Sequence, residues 1–178
     1  MPADADLDAV IKAGIRDIPD FPSEGVLFKD ITPLLADPAS LRAVVSAIAD
    51  PHRAGGVDAV VGLEARGFIL AAPVALELDA GFVPVRKAGK LPAETYRESY
   101  DLEYGTATVE MHVDAIAPGD RVLIVDDVLA TGGTGRAAVD LVRKAGGTVV
   151  GFSVLMELGF LSGRGKLTDV DVSALTAA

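Results

Sequence analysis

The 178-residue chain contains no cysteine, which excludes disulfide bonds and thiol catalysis. Aromatic residues are also scarce, at 5% of the sequence, although half of all residues are hydrophobic. No apolar run approaches the roughly 20 residues that a membrane-spanning helix needs. The best candidates are interrupted by Glu77 and Glu157. A chain rich in alanine and valine but poor in aromatics is typical of a close-packed α/β domain.

Positive charge is in short supply as well, since the formal net charge is −10. This balance argues against a protein that binds nucleic acid or acidic membranes in general. The acidic N-terminus lacks the cationic and apolar regions of a secretion signal, so we expect a cytoplasmic protein. One basic island stands out, with Glu94 as the only acid within it, and it would attract a polyanionic small molecule. Its members are Arg86, Lys87, Lys90 and Arg97.

Hydrophobic periodicity predicts one domain over residues 1–178, in which strands and helices alternate. An N-terminal helix and a hood rich in proline and glycine occupy about residues 1–35. The predicted strands are 57–63, 81–86, 106–113, 121–125 and 148–156, and the predicted later helices begin at 38, 67 and 136. This alternation indicates an α/β fold with a mainly parallel sheet flanked by helices. The segment 88–105 is too long for a simple connection between two strands, so we predict a flexible lid loop there.

The segment from Val122 to Thr134, VLIVDDVLATGGT, carries most of the chemical information. Its apolar run ends on Asp126 and Asp127, and a Thr-Gly-Gly-Thr turn then leads into a predicted helix. Backbone N–H groups in such a turn, together with the positive end of the helix dipole, can bind a phosphate. The two carboxylates can accept hydrogen bonds from sugar hydroxyls. Because the Walker and dinucleotide-binding patterns are both missing, the order of these parts predicts a site for a phosphorylated ribose.

The carboxyl ends of parallel strands meet at one edge of a sheet, so other strand-end residues should lie near this acidic pair. Glu64 ends one predicted strand, and Arg86 and Lys87 end the next. Arg66 can hold a diphosphate through two parallel hydrogen bonds, although a salt bridge at a helix start explains it equally well. The residues alone therefore indicate an enzyme or a binder of a phosphoribosyl diphosphate, and they do not identify the acceptor.

Five motifs resemble the adenine-using branch of the type I phosphoribosyltransferases. They are FPSEGVLFKDITPLL, GLEARGF, PVRKAGKLP, YDLEYGT and VLIVDDVLATGGT, in the order and spacing of that family from about Phe21 to Thr134. The resemblance implies a parallel sheet with helices on both faces, a small hood and a flexible lid, usually in a homodimer. It also implies the conversion of adenine and 5-phosphoribosyl 1-diphosphate to AMP and diphosphate, with Mg²⁺ as the cofactor.

The same resemblance implies a role for each candidate residue. The 5-phosphate would lie against Ala130, Thr131, Gly132, Gly133 and Thr134, the ribose hydroxyls against Asp126 and Asp127, and the diphosphate against Arg66, Arg86, Lys87 and Lys90. Phe28 would stack on adenine while the backbone of Leu27 and Lys29 reads its polar edge. Glu103 would be the lid carboxylate and a candidate for proton transfer. Mg²⁺ would be held mainly by substrate and water, without a direct protein ligand.

Some of these residues have a plainer explanation when each is taken alone. A single phenylalanine in a loop, such as Phe28, is more often a core residue, and Glu103 is more often a solvated carboxylate. Two other functions also remain open. One is a phosphoribosyltransferase for hypoxanthine, guanine or xanthine. The other is a regulator that senses phosphoribosyl diphosphate and binds nucleic acid, against which the acidic charge balance counts.

Overall fold

The computed structural model describes residues 7–102 and 105–178. Its helices are α1 (Leu7–Gly14), α2 (Thr32–Ala36), α3 (Pro38–Ala49), α4 (Arg66–Glu77) and α5 (Gly133–Lys144). Its strands are β1 (Arg16–Ile18), β2 (Phe28–Asp30), β3 (Ala59–Leu63), β4 (Gly81–Lys87), β5 (Thr95–Asp101), β6 (Thr106–His112), β7 (Arg121–Leu129), β8 (Thr148–Glu157) and β9 (Val172–Ala177). Within these two ranges, no helix is both long enough and apolar enough to cross a lipid bilayer.

Seven strands form one sheet in the order β5-β6-β4-β3-β7-β8-β9. The five strands from β4 to β9 in that order run parallel, whereas β6 and β5 extend the β4 edge as an antiparallel hairpin. Helices cover both faces, as a parallel sheet requires when its central strands are apolar throughout. The predicted α/β class with a mainly parallel, helix-flanked sheet is confirmed.

Side-chain alternation along β7 divides the core between the two faces of the sheet. Val122 and Ile124 pack on the side of α5, whereas Leu123 and Val125 pack on the side of α3 and α4. All four side chains are fully buried. Burial of a side chain of this size is worth about 1.5–3 kcal/mol, so β7 anchors both layers of helices to one strand.

Two helix ends carry residues suited to their capping positions. The Asp37 carboxylate accepts a hydrogen bond from the Ser40 N–H at 2.8 Å, and Pro38 occupies the first position of α3. This capping satisfies one of the N–H groups that a helix start leaves without an intrahelical partner. Gly146, at a φ of +88°, follows the end of α5, where the left-handed conformation favours glycine.

The structure corrects the prediction of a loop over residues 88–105, because β5 lies within that segment. Tyr96 and Tyr100 of β5 pack against the core. Glu98 lies between them and breaks the apolar alternation, but it pairs with Lys144 of α5 at 2.5 Å. Movement of this hairpin as a lid stays a prediction. Glu103 and Tyr104, which the lid prediction includes, lie outside the described residues.

The predicted hood contains a two-stranded antiparallel sheet formed by β1 and β2. Two ion pairs link the strands: Arg16 pairs with Asp30 at 2.6 Å, and Lys29 Nζ lies 2.7 Å from Asp17 Oδ1. This ladder holds Phe28 at the start of β2, opposite Ile18. The hood is thus an ordered element, which fixes the position of the aromatic ring predicted to meet the base.

Candidate active site

Strand β7 is longer than predicted, and its extension carries the acidic pair. Pairing of β7 with β3 stops at Val125, whereas pairing with β8 continues to Leu129. The predicted strand end at Val125 was therefore wrong, since β8 alone supports the remaining residues. Asp126 and Asp127 lie in this part of β7, which has a neighbouring strand on one side only. The open side gives their carboxylates access to a cavity.

A cavity of about 530 Å³ lies between the hood and the carboxyl ends of the central strands. Its wall comes from four segments far apart in the sequence. The lining residues are Val26, Leu27, Phe28 and Lys29 of the hood, Glu64, Ala65 and Arg66 after β3, Asp126, Asp127, Val128, Ala130 and Thr134 around the end of β7, and Leu158 after β8. Sequence reasoning did not identify Val26, Val128 or Leu158, because single aliphatic residues at strand ends and in loops carry no signal of their own.

Arg66 connects the acidic pair to the hood across this cavity. Its Nε forms an ion pair with Asp127 Oδ2, and its guanidinium carbon lies 4.9 Å from the centroid of the Phe28 ring. Asp127 is only 5% exposed, so water weakens this pair less than it would at the surface. Phe21 packs edge-on against Phe28 with ring centroids 5.1 Å apart. Arg66 does form a salt bridge at a helix start, and that salt bridge lies inside the cavity.

The two adjacent aspartates differ in their surroundings. Burial raises the pKa of the Asp126 carboxyl well above its ordinary value, and the negative charge of Asp127 raises it further. The ion pair with Arg66 is made by Asp127. Asp126 instead accepts the Asp127 backbone N–H at 2.8 Å. Since two carboxylates this close resist ionising together, the site holds one acid that favours the neutral form beside one paired with a guanidinium.

The glycine-rich turn forms a second, smaller cavity of about 70 Å³ directly beside the first. All five predicted phosphate residues line it: Ala130, Thr131, Gly132, Gly133 and Thr134. Gly132 has a φ of +78°, and α5 begins at the next residue, so the start of a twelve-residue helix faces this space. A Cβ on Gly132 would collide with the backbone oxygen of Gly163, and a Cβ on Gly163 with that of Ala130. Helix starts of this kind bind anions through backbone N–H groups.

The other three basic residues predicted to bind diphosphate are grouped around Glu64, beside the cavity. Among the described residues, the wall includes Arg66 but not Arg86, Lys87 or Lys90. All three contact the carboxylate of Glu64, which itself lines the cavity. Lys87 donates its backbone N–H to Oε2 at 2.9 Å, Lys90 pairs with Oε1, and Arg86 Nε lies 3.5 Å from Oε2. The sequence predicted that these residues converge, and it did not predict that an acid would hold them.

The loop that carries Lys90 is fastened by Glu110 of β6. Glu110 is 1% exposed, and its Oε2 accepts the Gly89 N–H at 3.0 Å. Its other oxygen lies 2.8 Å from Arg97 Nε, so the buried charge has a counter-ion. Sequence reasoning missed Glu110, because an acid within an alternating strand looks like any solvent-facing residue. Its hydrogen bond fixes the backbone next to the predicted diphosphate-binding residues.

The donor groups of the cavity suit a magnesium ion that arrives with its substrate. Mg²⁺ prefers six oxygen ligands and usually keeps waters and substrate phosphates among them. The cavity offers carboxylate oxygens from Asp126 and Asp127. Within the described ranges, no group of three or more histidine or acidic side chains is placed to chelate a metal ion. The carboxylate oxygens of Asp126 and Asp127 suit a Mg²⁺ ion by their chemistry.

Comparison with known proteins agrees with this geometry. The chain matches the family model of the phosphoribosyl transferase domain over residues 30–172. It is 70% identical over 170 residues to the adenine phosphoribosyltransferase of Thermobifida fusca (strain YX), covering 96% of this chain and 97% of that protein. The crystal structure of adenine phosphoribosyltransferase from Rhodothermus marinus DSM 4252 has a TM-score of 0.93 at 54% identity, covering 97% of this chain and 98% of the other.

A third relative was crystallised with ligands. It is adenine phosphoribosyltransferase from Saccharomyces cerevisiae, complexed with D-2,5-dideoxy-2,5-imino-altritol 1,6-bisphosphate and adenine. Its TM-score is 0.90 at 40% identity, covering 95% of this chain and 98% of the other. The fold and the family match together define a phosphoribosyl transferase domain. At the identities and coverages found, the chain belongs to the adenine phosphoribosyltransferase branch of that family.

Proposed function

We propose that this chain transfers the 5-phosphoribosyl group of 5-phosphoribosyl 1-diphosphate to adenine, forming AMP and diphosphate. The bond between the anomeric carbon and the diphosphate oxygen breaks, a bond from that carbon to the adenine nitrogen forms, and the proton leaves that nitrogen. The observation that carries this proposal is one cavity that joins the glycine-rich turn, the acidic pair, Arg66 and Phe28. The names of the relatives, and the adenine bound in the yeast complex, support the choice of base.

The two cavities divide the phosphoribosyl group between them. The smaller cavity suits the 5-phosphate, because the turn from Ala130 to Thr134 and the start of α5 favour an anion there. The ribose would then lie over Asp126 and Asp127. Asp126 lines both cavities, and Asp127 lines the larger one. In its protonated form Asp126 can donate a hydrogen bond as well as accept one, and Asp127, the partner of Arg66, offers acceptor oxygens. The pair can therefore satisfy hydroxyls in both roles and hold the sugar in one orientation.

The base would occupy the hood side of the larger cavity. Phe28 offers a ring for stacking, and Val26, Val128 and Leu158 supply an apolar wall. Leu27 and Lys29 line the same space, and their backbone groups would read the polar edge of adenine. Stacking between a base and an aromatic ring tolerates every base, so backbone hydrogen bonds would provide the selection.

Charge development at the anomeric carbon explains the remaining parts. Bond breaking leaves positive charge on the ribose and adds negative charge to the departing diphosphate, so groups fixed beforehand around both ends lower the barrier. Arg66 lies where it can meet the diphosphate, and Arg86, Lys87 and Lys90 are close behind Glu64. A bound Mg²⁺, held mainly by substrate and water, would supply further positive charge to the diphosphate oxygens. Glu103, outside the described residues, is proposed to assist proton transfer from the lid.

We also infer a homodimer. Three apolar side chains are exposed on the side of the sheet that α4 covers. They are Ile69 and Leu76 of α4 and Phe82 of β4, and Leu76 is 83% exposed. Phe68 stacks edge-on against Phe82 at 5.8 Å and widens the apolar surface. An exposed apolar surface of this kind is typical of a protein–protein interface. A cytoplasmic location remains a prediction from the sequence.

A panel of free bases tests the reaction. The purified protein is incubated with Mg²⁺, 5-phosphoribosyl 1-diphosphate and adenine, hypoxanthine, guanine or xanthine in separate reactions, and nucleotide and diphosphate are measured. We expect AMP and diphosphate in equal amounts from adenine, with far lower turnover of the other bases. Efficient use of another base would transfer the assignment to that base. No nucleotide from any base, together with tight RNA or DNA binding, would support a regulator instead.

A further inference from the structure

We propose that Glu64 competes with diphosphate for the basic residues behind the cavity wall, and so sets how tightly this chain holds diphosphate. This inference rests on the proposed function, because it concerns the leaving group of that reaction. The observation behind it is that one cavity-lining carboxylate contacts all three of Arg86, Lys87 and Lys90. Among the described residues, Glu64 lines the cavity and the three basic residues do not.

The contacts of Glu64 resemble those expected of a bound diphosphate. Its two oxygens receive one backbone N–H and one ammonium, and a guanidinium lies within 3.5 Å. Carboxylate and phosphate oxygens accept the same donors, so one acid can occupy the place of the other. The Glu64 side chain is only 10% exposed, which makes its interactions with the three basic residues stronger than those of a surface acid.

Glu64 keeps its charge despite this burial. Desolvation alone would raise the pKa of its carboxyl, but hydrogen bonds from Lys90 and from the Lys87 N–H outweigh that effect and lower the pKa. An incoming diphosphate therefore meets an ionised carboxylate at the wall of its own site. The diphosphate must bind despite repulsion by that carboxylate, and it must draw Lys90 away from Glu64.

Two roles of the Glu64 side chain can be separated by substitution. Its charge competes with the ligand, whereas its Oε2 atom holds the Lys87 N–H and thereby the course of the loop. Glu64→Gln removes the charge and leaves an oxygen that can accept the same N–H. Glu64→Ala removes both. A competitor and a scaffold therefore predict opposite results for the glutamine variant.

Titration calorimetry with inorganic diphosphate and Mg²⁺ provides the test, and it needs no base and no turnover. A unit charge about 4 Å from the ligand is worth roughly a fivefold change in affinity even at the dielectric constant of bulk water, so roughly fivefold to tenfold is the smallest change expected at this partly buried site. We expect Glu64→Gln to bind diphosphate tighter than wild type by at least that factor, and Glu64→Ala to bind more weakly than Glu64→Gln. The inhibition constant of diphosphate in the complete reaction should fall in parallel for Glu64→Gln.

A matched control is Glu98→Gln, which removes a carboxylate paired with Lys144 on the hairpin. It should leave diphosphate affinity unchanged. Equal or weaker binding by Glu64→Gln, with wild type binding normally, would overturn the inference and make Glu64 a scaffold. If wild type itself binds no diphosphate, the proposed function fails as well. The two failures are thus distinguishable.

Discussion

Gly67 packs directly against the carboxylate of Asp126. A Cβ atom at position 67 would lie 2.8 Å from Asp126 Oδ1 and 3.1 Å from the Val125 carbonyl oxygen. Neither neighbour is the free end of a long side chain, so neither can move aside cheaply. The first turn of α4 can therefore reach the acidic pair only because residue 67 has no side chain.

This contact predicts the effect of Gly67→Ala. The added methyl should lower the free energy of unfolding by about 1–3 kcal/mol through overpacking, and should also shift the acidic pair. Urea unfolding measures the first effect and kcat/KM with adenine measures the second. Gly165→Ala is the control, because a Cβ there meets no atom within 4 Å. Equal behaviour of the two variants would show that the site tolerates movement at Gly67.

Asp127→Asn should lower turnover while leaving the fold intact. The substitution keeps the shape of the side chain but removes the charge that pairs with Arg66 and that, in the proposed function, faces the ribose. We expect kcat to fall by roughly 10²-fold, the size of effect seen when one preorganised electrostatic group is removed. The control is Asp140→Asn, which removes the partner of Arg136 on α5. Unchanged steady-state kinetics in Asp127→Asn would remove this aspartate from the mechanism.

Asp126→Asn should affect activity and stability in opposite directions. The raised pKa of Asp126 means that the folded state binds its proton more tightly than the unfolded state. Wild-type stability therefore falls as the pH rises from about 4 towards the folded-state pKa, and asparagine lacks this penalty. We expect the variant to match wild type near pH 4, to be more stable at pH 7, and to turn over more slowly. Chemical denaturation across that pH range measures the stability of both proteins. A stability difference between variant and wild type that shrinks with rising pH would contradict the raised pKa of Asp126.

Phe28→Ala should weaken the binding of adenine more than the binding of phosphoribosyl diphosphate. Loss of a stacking ring costs roughly 1–3 kcal/mol per base, which corresponds to an increase in the KM for adenine of about fivefold to 150-fold. Phe28→Tyr retains the ring and should restore most of the affinity. Measurement of both KM values also tests the contact with Arg66. An equal rise in the KM for phosphoribosyl diphosphate would mean that the ring acts by positioning Arg66.

Leu76→Asp should dissociate the inferred homodimer. A charge in the middle of the exposed apolar surface on α4 would have to be buried without a partner. Light scattering after size exclusion should give twice the 18.3 kDa chain mass for wild type and a single chain mass for the variant. Phe160→Asp, which changes another exposed apolar side chain, should remain dimeric. A monomeric wild type would refute the homodimer.

The sequence predicted the parts of the fold that local patterns specify. The buried run of β7 and the start of α3 at Pro38 were both found where the residues indicated them. The residues that would form the site were also predicted to converge, because strand order places their carboxyl ends together. In the cavity, Arg66 contacts both Phe28 and Asp127.

What the sequence could not predict depends on contacts between distant segments. Glu98 interrupts the alternating pattern that would have predicted β5, and its partner, Lys144, lies on the distant helix α5. The small residues of β9 give little periodic signal, and β8 provides the template for that strand. Glu64 and Glu110 look like ordinary acids until the folded chain surrounds them with basic groups and backbone N–H groups. Ion pairs across long sequence separations override local hydrophobic patterns in each of these acidic cases.

The close contact of Gly132 and Gly163 has a consequence for ligand size. Side chains can rotate to admit a bulkier group, but two stretches of main chain pressed together cannot open without unravelling α5 or the turns after β8. The width of the smaller cavity at this point is consequently set by main-chain atoms, and rotation of nearby side chains does not widen it there.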